Sequence, residues 1–104
     1  GGLIIGDNVS IGPNVSIFTA GHDIQSSDFC NQLATVTISR YASIGSNASI
    51  MPGVMIGEGA VVLPGSVVTK SLGPYTINGG EPANTLSKRS TDLNYNASWN
   101  PWFL

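Results

Sequence analysis

From Ile38 onward an aliphatic residue returns at every sixth position: Ile38, Ile44, Ile50, Ile56, Val62 and Val68. Four residues after each of the first five stands a small or β-branched residue: Ala42, Ala48, Val54, Ala60 and Ser66. Glycine recurs between them, often one or three places after the aliphatic residue. A helix turns every 3.6 residues and would smear this pattern around its axis, while a plain strand alternates every second residue without turn residues interrupting it. A period of six fits a β-solenoid in which each hexad is a short strand followed by a corner.

The frame runs backwards to the start. Ile5, Ile11 and Ile17 open the hexads 5–10, 11–16 and 17–22, which brings the count to nine. The step from Ile17 to Ile38 is 21 residues rather than 6, so an insertion interrupts the solenoid directly after His22. With three hexads to a turn, the expected fold is an all-β parallel helix of about three coils, 5–22, 38–55 and 56–73, with an extruded loop over 23–37 and a C-terminal tail over 74–104. The whole, 1–104, reads as a single hexapeptide-repeat domain. In the loop, Phe29 and Leu33 are expected to pack on a neighbouring surface. The tail is turn-rich and aperiodic, with a short helical turn expected over 85–91. Its aromatic residues Tyr95, Trp99, Trp102 and Phe103 are expected to cover the open end of the solenoid or a neighbouring subunit. At the other end Leu3 and Ile4 enter in mid-pattern, which predicts a preceding coil, and so short a solenoid predicts caps, oligomerisation or both.

Composition narrows the function. Only 10% of residues are charged, the net charge is −2, and the four basic residues are Arg40, Lys70, Lys88 and Arg89. Without a basic stripe the chain does not read as a nucleic-acid binder. No apolar run approaches the ~18 residues of a membrane span. A single cysteine, Cys30, excludes an internal disulfide and agrees with a cytoplasmic location. His22 is the only histidine, so neither a multi-histidine metal centre nor a three-histidine carbonic-anhydrase-type site can be built. A histidine at the mouth of an inserted loop suits general-base work, because its unperturbed pKa of ~6.5 lies near neutrality; the plain alternative is a loop histidine with no task. Asp23 next to it is a candidate to orient His22 or an acceptor.

Taken together, the hexads, Thr19-Ala20-Gly21-His22-Asp23-Ile24, Ser27-Asp28-Phe29, Val67-Val68-Thr69-Lys70 and Ile77-Asn78-Gly79-Gly80-Glu81-Pro82-Ala83 resemble the left-handed β-helix hexapeptide-repeat acetyltransferases. The branch most similar is that of the maltose/galactoside and polysaccharide-biosynthesis O-acetyltransferases. The left hand of the helix comes from this resemblance alone, since general connection rules favour right-handed crossovers. The resemblance implies a homotrimer with acetyl-CoA in the groove between adjacent solenoids, and a sugar or polysaccharide hydroxyl as acceptor. It implies His22 as the general base and Asp23 at the acceptor. Ser46, Pro64, Thr69 and Lys70 fall on coenzyme-binding positions, with Lys88 and Arg89 adding contacts to its phosphates. Three positions depart from the family pattern: Ser43 where many relatives carry Trp, Pro64 where a small residue is usual, and Asn84 where a basic residue follows the Pro-Ala pair. These departures keep a second reading open, a truncated or non-catalytic trimeric module.

Overall fold

The computed structural model describes residues 1–22 and 31–90. Each regular hexad folds as a two-residue strand followed by a four-residue turn. The turn closes with a backbone bond from its fourth residue to its first, as in Ala42 N–H to Ser39 O (3.2 Å), Ala48 to Gly45 (3.3 Å), Ala60 to Gly57 (3.1 Å) and Ser66 to Leu63 (3.3 Å). The third turn residue is left-handed: Asn8, Asn14, Tyr41, Asn47, Gly53, Gly59 and Gly65 all have positive φ. This is the type II turn, which favours Pro at its second place and Gly or Asn at its third. Pro13, Pro52, Pro64 and Pro74 all occupy that second place, whose nitrogen makes no backbone bond between coils in any described hexad. Glycine at the first place has a different cause. A Cβ on Gly45 would meet Pro64 N of the coil above at 2.4 Å, and a Cβ on Gly12 would meet Ser46 N at 2.8 Å. The coils approach too closely there for a side chain.

Stacked strands make three parallel faces. The first holds β1 (Leu3–Ile5), β6 (Val36–Ile38) and β9 (Met55–Ile56). The second holds β2 (Ser10–Ile11), β7 (Ser43–Ile44) and β10 (Val61–Val62), and the third β3 (Ser16–Ile17), β8 (Ser49–Ile50) and β11 (Val67–Val68). The register aligns Ile5 with Ile38 and Ile56, Ile11 with Ile44 and Val62, and Ile17 with Ile50 and Val68. The expected parallel β-helix is therefore the observed one, and it is left-handed. The inward stacks, with Ala42, Ala48, Val54 and Ala60 from the turns, are fully or almost fully buried. In the first coil the same positions are less covered: Ile5 is 46% and Ile11 40% exposed, while Val9, Val15 and Ile17 are partly buried against the core.

Two sequence expectations change. The periodicity does not end at residue 73. Leu72 bridges Ile56 and Asn78 pairs with Val62, each 16 residues on rather than 18. The corner after Val68 is two residues short, after which Leu72-Gly73-Pro74-Tyr75-Thr76-Ile77 forms a further hexad with Tyr75 at positive φ. Nor do residues 85–91 begin as a helical turn. β12 (Thr76–Gly80) joins the second face beside β10, and β13 (Ala83–Lys88) returns antiparallel along it. Strand pairing overrides local propensity here, because the edge of β12 offers a full row of backbone partners.

The buried side chain at the end of the second-face stack is polar. Asn78 stands in the aliphatic place, fully buried, donating to Val61 O (3.1 Å) and Thr76 Oγ1 (2.9 Å) and accepting from Thr85 Oγ1 (2.7 Å). Ala83, also fully buried, joins the same core from the hairpin. The expected packing of Phe29 and of Tyr95, Trp99, Trp102 and Phe103 lies outside the described residues. Leu33 is 71% exposed, so no packing covers it among the described residues.

Candidate functional site

The insertion leaves the solenoid at the third corner, between the third and first faces. The hexad 17–22 does not close into a turn. Instead β4 (Ala20–His22) runs outward and pairs antiparallel with β5 (Asn31–Leu33), setting His22 opposite Asn31. Ala34 N–H closes the base of this arm on Thr19 O at 3.0 Å. The base rests on the next coil: a Cβ on Gly53 would lie 3.4 Å from Ala34 Cβ, and one on Gly21 would lie 3.9 Å from Pro52 Cγ. One level further, Met51 N–H donates to Val68 O (3.0 Å), so Thr69 and Lys70 continue the same corner above Pro52. The arm carrying His22 and the Thr69-Lys70 corner are thus two coils apart on one edge, about 10 Å at the usual strand spacing. Asp23 lies outside the described residues.

The other expected residues divide between the remaining corners. Ser46 and Pro64 occupy the second place of successive turns on the second corner, where Gly65 N–H donates to Ser46 O at 2.9 Å. Pro64 N lies against Gly45 of the coil below, so the missing N–H removes no ladder bond. The third face joins this corner to the Thr69-Lys70 corner, and the hairpin tip spans both. Gly80 N–H donates to Ser66 Oγ (3.2 Å), and Lys70 Nζ donates to Asn84 Oδ1 (3.1 Å).

Lys88 and Arg89 are not brought to this edge. Lys88 pairs with Thr76 at the far end of the hairpin. Arg89 reaches the first corner, where its Nη1 donates to Gly59 O (2.9 Å) and Tyr41 O (3.4 Å) and its backbone N–H to Tyr75 O (2.7 Å). It ties together three successive turns. Glu58 on that corner accepts from Tyr75 Oη and from Arg40 Nε. The Tyr75 bond first, and then Arg40, hold the Glu58 carboxyl below the usual range; the same bond to Glu58 pushes the Tyr75 phenol up.

The sequence carried no expectation of the Lys70–Asn84 contact. The signal that could have found it was the disguised hexad 72–77, which fixes where the hairpin crosses. A coiled stack of type II turns with one arm extruded at a corner defines the class: this chain belongs to the hexapeptide-repeat family. Residues 35–70 match the family described as bacterial transferase hexapeptide (six repeats). A chloramphenicol acetyltransferase of Morganella morganii is 39% identical over 86% of this chain and 53% of its own length. Among solved structures, a maltose O-acetyltransferase from Clostridium difficile 630 is similar with a TM-score of 0.79 and 37% identity, over 85% of this chain and 49% of that one. A galactoside acetyltransferase in complex with coenzyme A gives a TM-score of 0.80 and 31% identity over 98% of this chain and 52% of that one. The chain spans about half the length of the curated relatives it matches. No helix among the described residues is long and apolar enough to cross a membrane.

Proposed function

We propose that this chain is the coenzyme-binding part of an acetyl-CoA-dependent O-acetyltransferase. The observation that carries the reading is the shared edge: the arm bearing His22 rises from the same corner as Thr69 and Lys70. The likeness to a coenzyme A complex over 98% of the chain supports it. Acetyl-CoA lies along the third face, between Ser46 and Pro64 on one side and Thr69 and Lys70 on the other. The chain works as a homotrimer, and the neighbouring solenoid completes the groove. Arg89 is assigned to the first corner rather than to the coenzyme, since its guanidinium already serves the Gly59 and Tyr41 carbonyls; Lys88 is set aside for its distance along the hairpin from Lys70.

His22 acts as general base, with Asp23 on the acceptor side. It takes the proton of an acceptor hydroxyl as that oxygen attacks the thioester carbonyl. The C–S bond then breaks, and coenzyme A departs as the thiol with the proton His22 had taken. The acceptor is a sugar or polysaccharide hydroxyl, by likeness to the maltose and galactoside enzymes. A hydroxylated antibiotic is the second reading, favoured by the chloramphenicol acetyltransferase likeness.

The test is titration calorimetry of acetyl-CoA into the protein, with its mass in solution measured alongside, followed by transfer assays on maltose, galactosides and chloramphenicol. His22→Ala is expected to keep coenzyme binding and lose transfer by about 10²–10⁴-fold. Transfer at the wild-type rate in that variant refutes the general-base assignment.

A further inference from the structure

The hairpin tip carries a contact whose chemistry goes beyond that reading. Lys70 is exposed, and its ammonium donates to the side-chain oxygen of Asn84 at 3.1 Å. The orientation of the Asn84 amide is set from its other end, where Nδ2 donates to Pro82 O at 3.3 Å. With Nδ2 so committed, Oδ1 is the atom left to face Lys70. The partner is neutral: the ion pair among the described residues is Arg40 with Glu58, on a different corner. A carboxylate in the place of Asn84 would hold the same ammonium but cancel its charge. An amide oxygen holds it and leaves the charge whole.

We propose that Asn84 is a positioning residue for Lys70. It fixes the ammonium at the third corner without neutralising it, so that Lys70 presents one directed positive charge to a phosphate group. This rests on the reading above for the identity of that phosphate, a coenzyme phosphate. The geometry itself calls only for a phosphate or pyrophosphate anion. The other three basic side chains are engaged or placed elsewhere: Arg40 with Glu58, Arg89 on the first corner, and Lys88 opposite Thr76. Charge-assisted contact to phosphate on this edge therefore depends on Lys70 and on what orients it.

The chain has two lysines, Lys70 and Lys88. In uniformly ¹³C,¹⁵N-labelled protein the unmodified side chains each give a Cε/Nζ NMR signal, assigned by Lys88→Arg. Inorganic pyrophosphate and coenzyme A are titrated separately into the intact protein and into Asn84→Ala and Asn84→Asp, with Tm recorded for each. The expected result is a saturable shift of the Lys70 signal with pyrophosphate, weakened several-fold in Asn84→Ala. In Asn84→Asp it weakens about tenfold or more while Tm holds or rises, because an ion pair replaces the neutral contact. A purely structural role predicts the opposite for the near-isosteric Asp: pyrophosphate binding unchanged. That outcome, or no Lys70 shift in the wild type, overturns the proposal. Pyrophosphate binding without coenzyme A binding leaves the Asn84 role standing and refutes the coenzyme reading instead.

Discussion

Replacing Asn78 by Ala tests whether the polar end of the second-face stack holds the solenoid closed. The side chain is fully buried and makes three hydrogen bonds, to Val61 O, Thr76 Oγ1 and Thr85 Oγ1. At about 0.5–1.5 kcal/mol net for each bond, their loss costs about 1.5–4.5 kcal/mol. The vacated volume adds to this, because the hairpin above can collapse only partly onto Val62. The expected total is about 2–5 kcal/mol, a large share of the stability of a domain this size. Urea unfolding at one fixed protein concentration measures it, since any association would otherwise enter the midpoint. A double-mutant cycle with Thr85→Val isolates the Thr85 bond, whose expected coupling is about 1 kcal/mol. A cost under about 0.5 kcal/mol for Asn78→Ala would refute the argument, because the network would then add nothing beyond what water supplies in the unfolded chain. Strict additivity in the cycle would remove the Thr85 bond from the account.

Three further outcomes follow from the corners. Gly45→Ala drives a Cβ to 2.4 Å from Pro64 N and should abolish cooperative unfolding, whereas Gly65→Ala meets no atom within 4 Å and pays only for its positive φ, about 1–2 kcal/mol; circular dichroism melts of the two variants separate contact from conformation. Arg89→Ala removes the donor shared by Gly59 O and Tyr41 O and is expected to cost about 1–3 kcal/mol in urea unfolding, with coenzyme affinity unchanged. Glu58 has a folded-state pKa below its usual 4.5, so its contribution is fully present above that value and is lost as pH falls through the lower folded value. Glu58→Gln should therefore lose less Tm than wild type on acidification below about 4.5, and equal slopes would exclude this carboxyl as a source of acid sensitivity.

The sequence by itself determined the coil. Aliphatic residues every sixth place, glycine where coils nearly touch and Asn or Gly at the left-handed turn position are local requirements, and each is written at its own residue. They fixed the parallel faces, the register of Ile38 on Ile56 and Ile44 on Val62, and the corner from which the His22 arm emerges. The tertiary structure decided what depends on a change of register. The corner after Val68 drops two residues, which hid a hexad at 72–77 and turned an apparently aperiodic tail into β12 and β13. Only then do Asn78 enter the core, Asn84 meet Lys70 and Arg89 reach the first corner. In both contacts, 14 and 30 residues apart, one partner, Asn84 or Arg89, lies beyond the last hexad, where no repeat marks its place. Such contacts are set by where a strand edge is free to accept the returning chain, and that is a property of the assembled solenoid, not of any hexad within it.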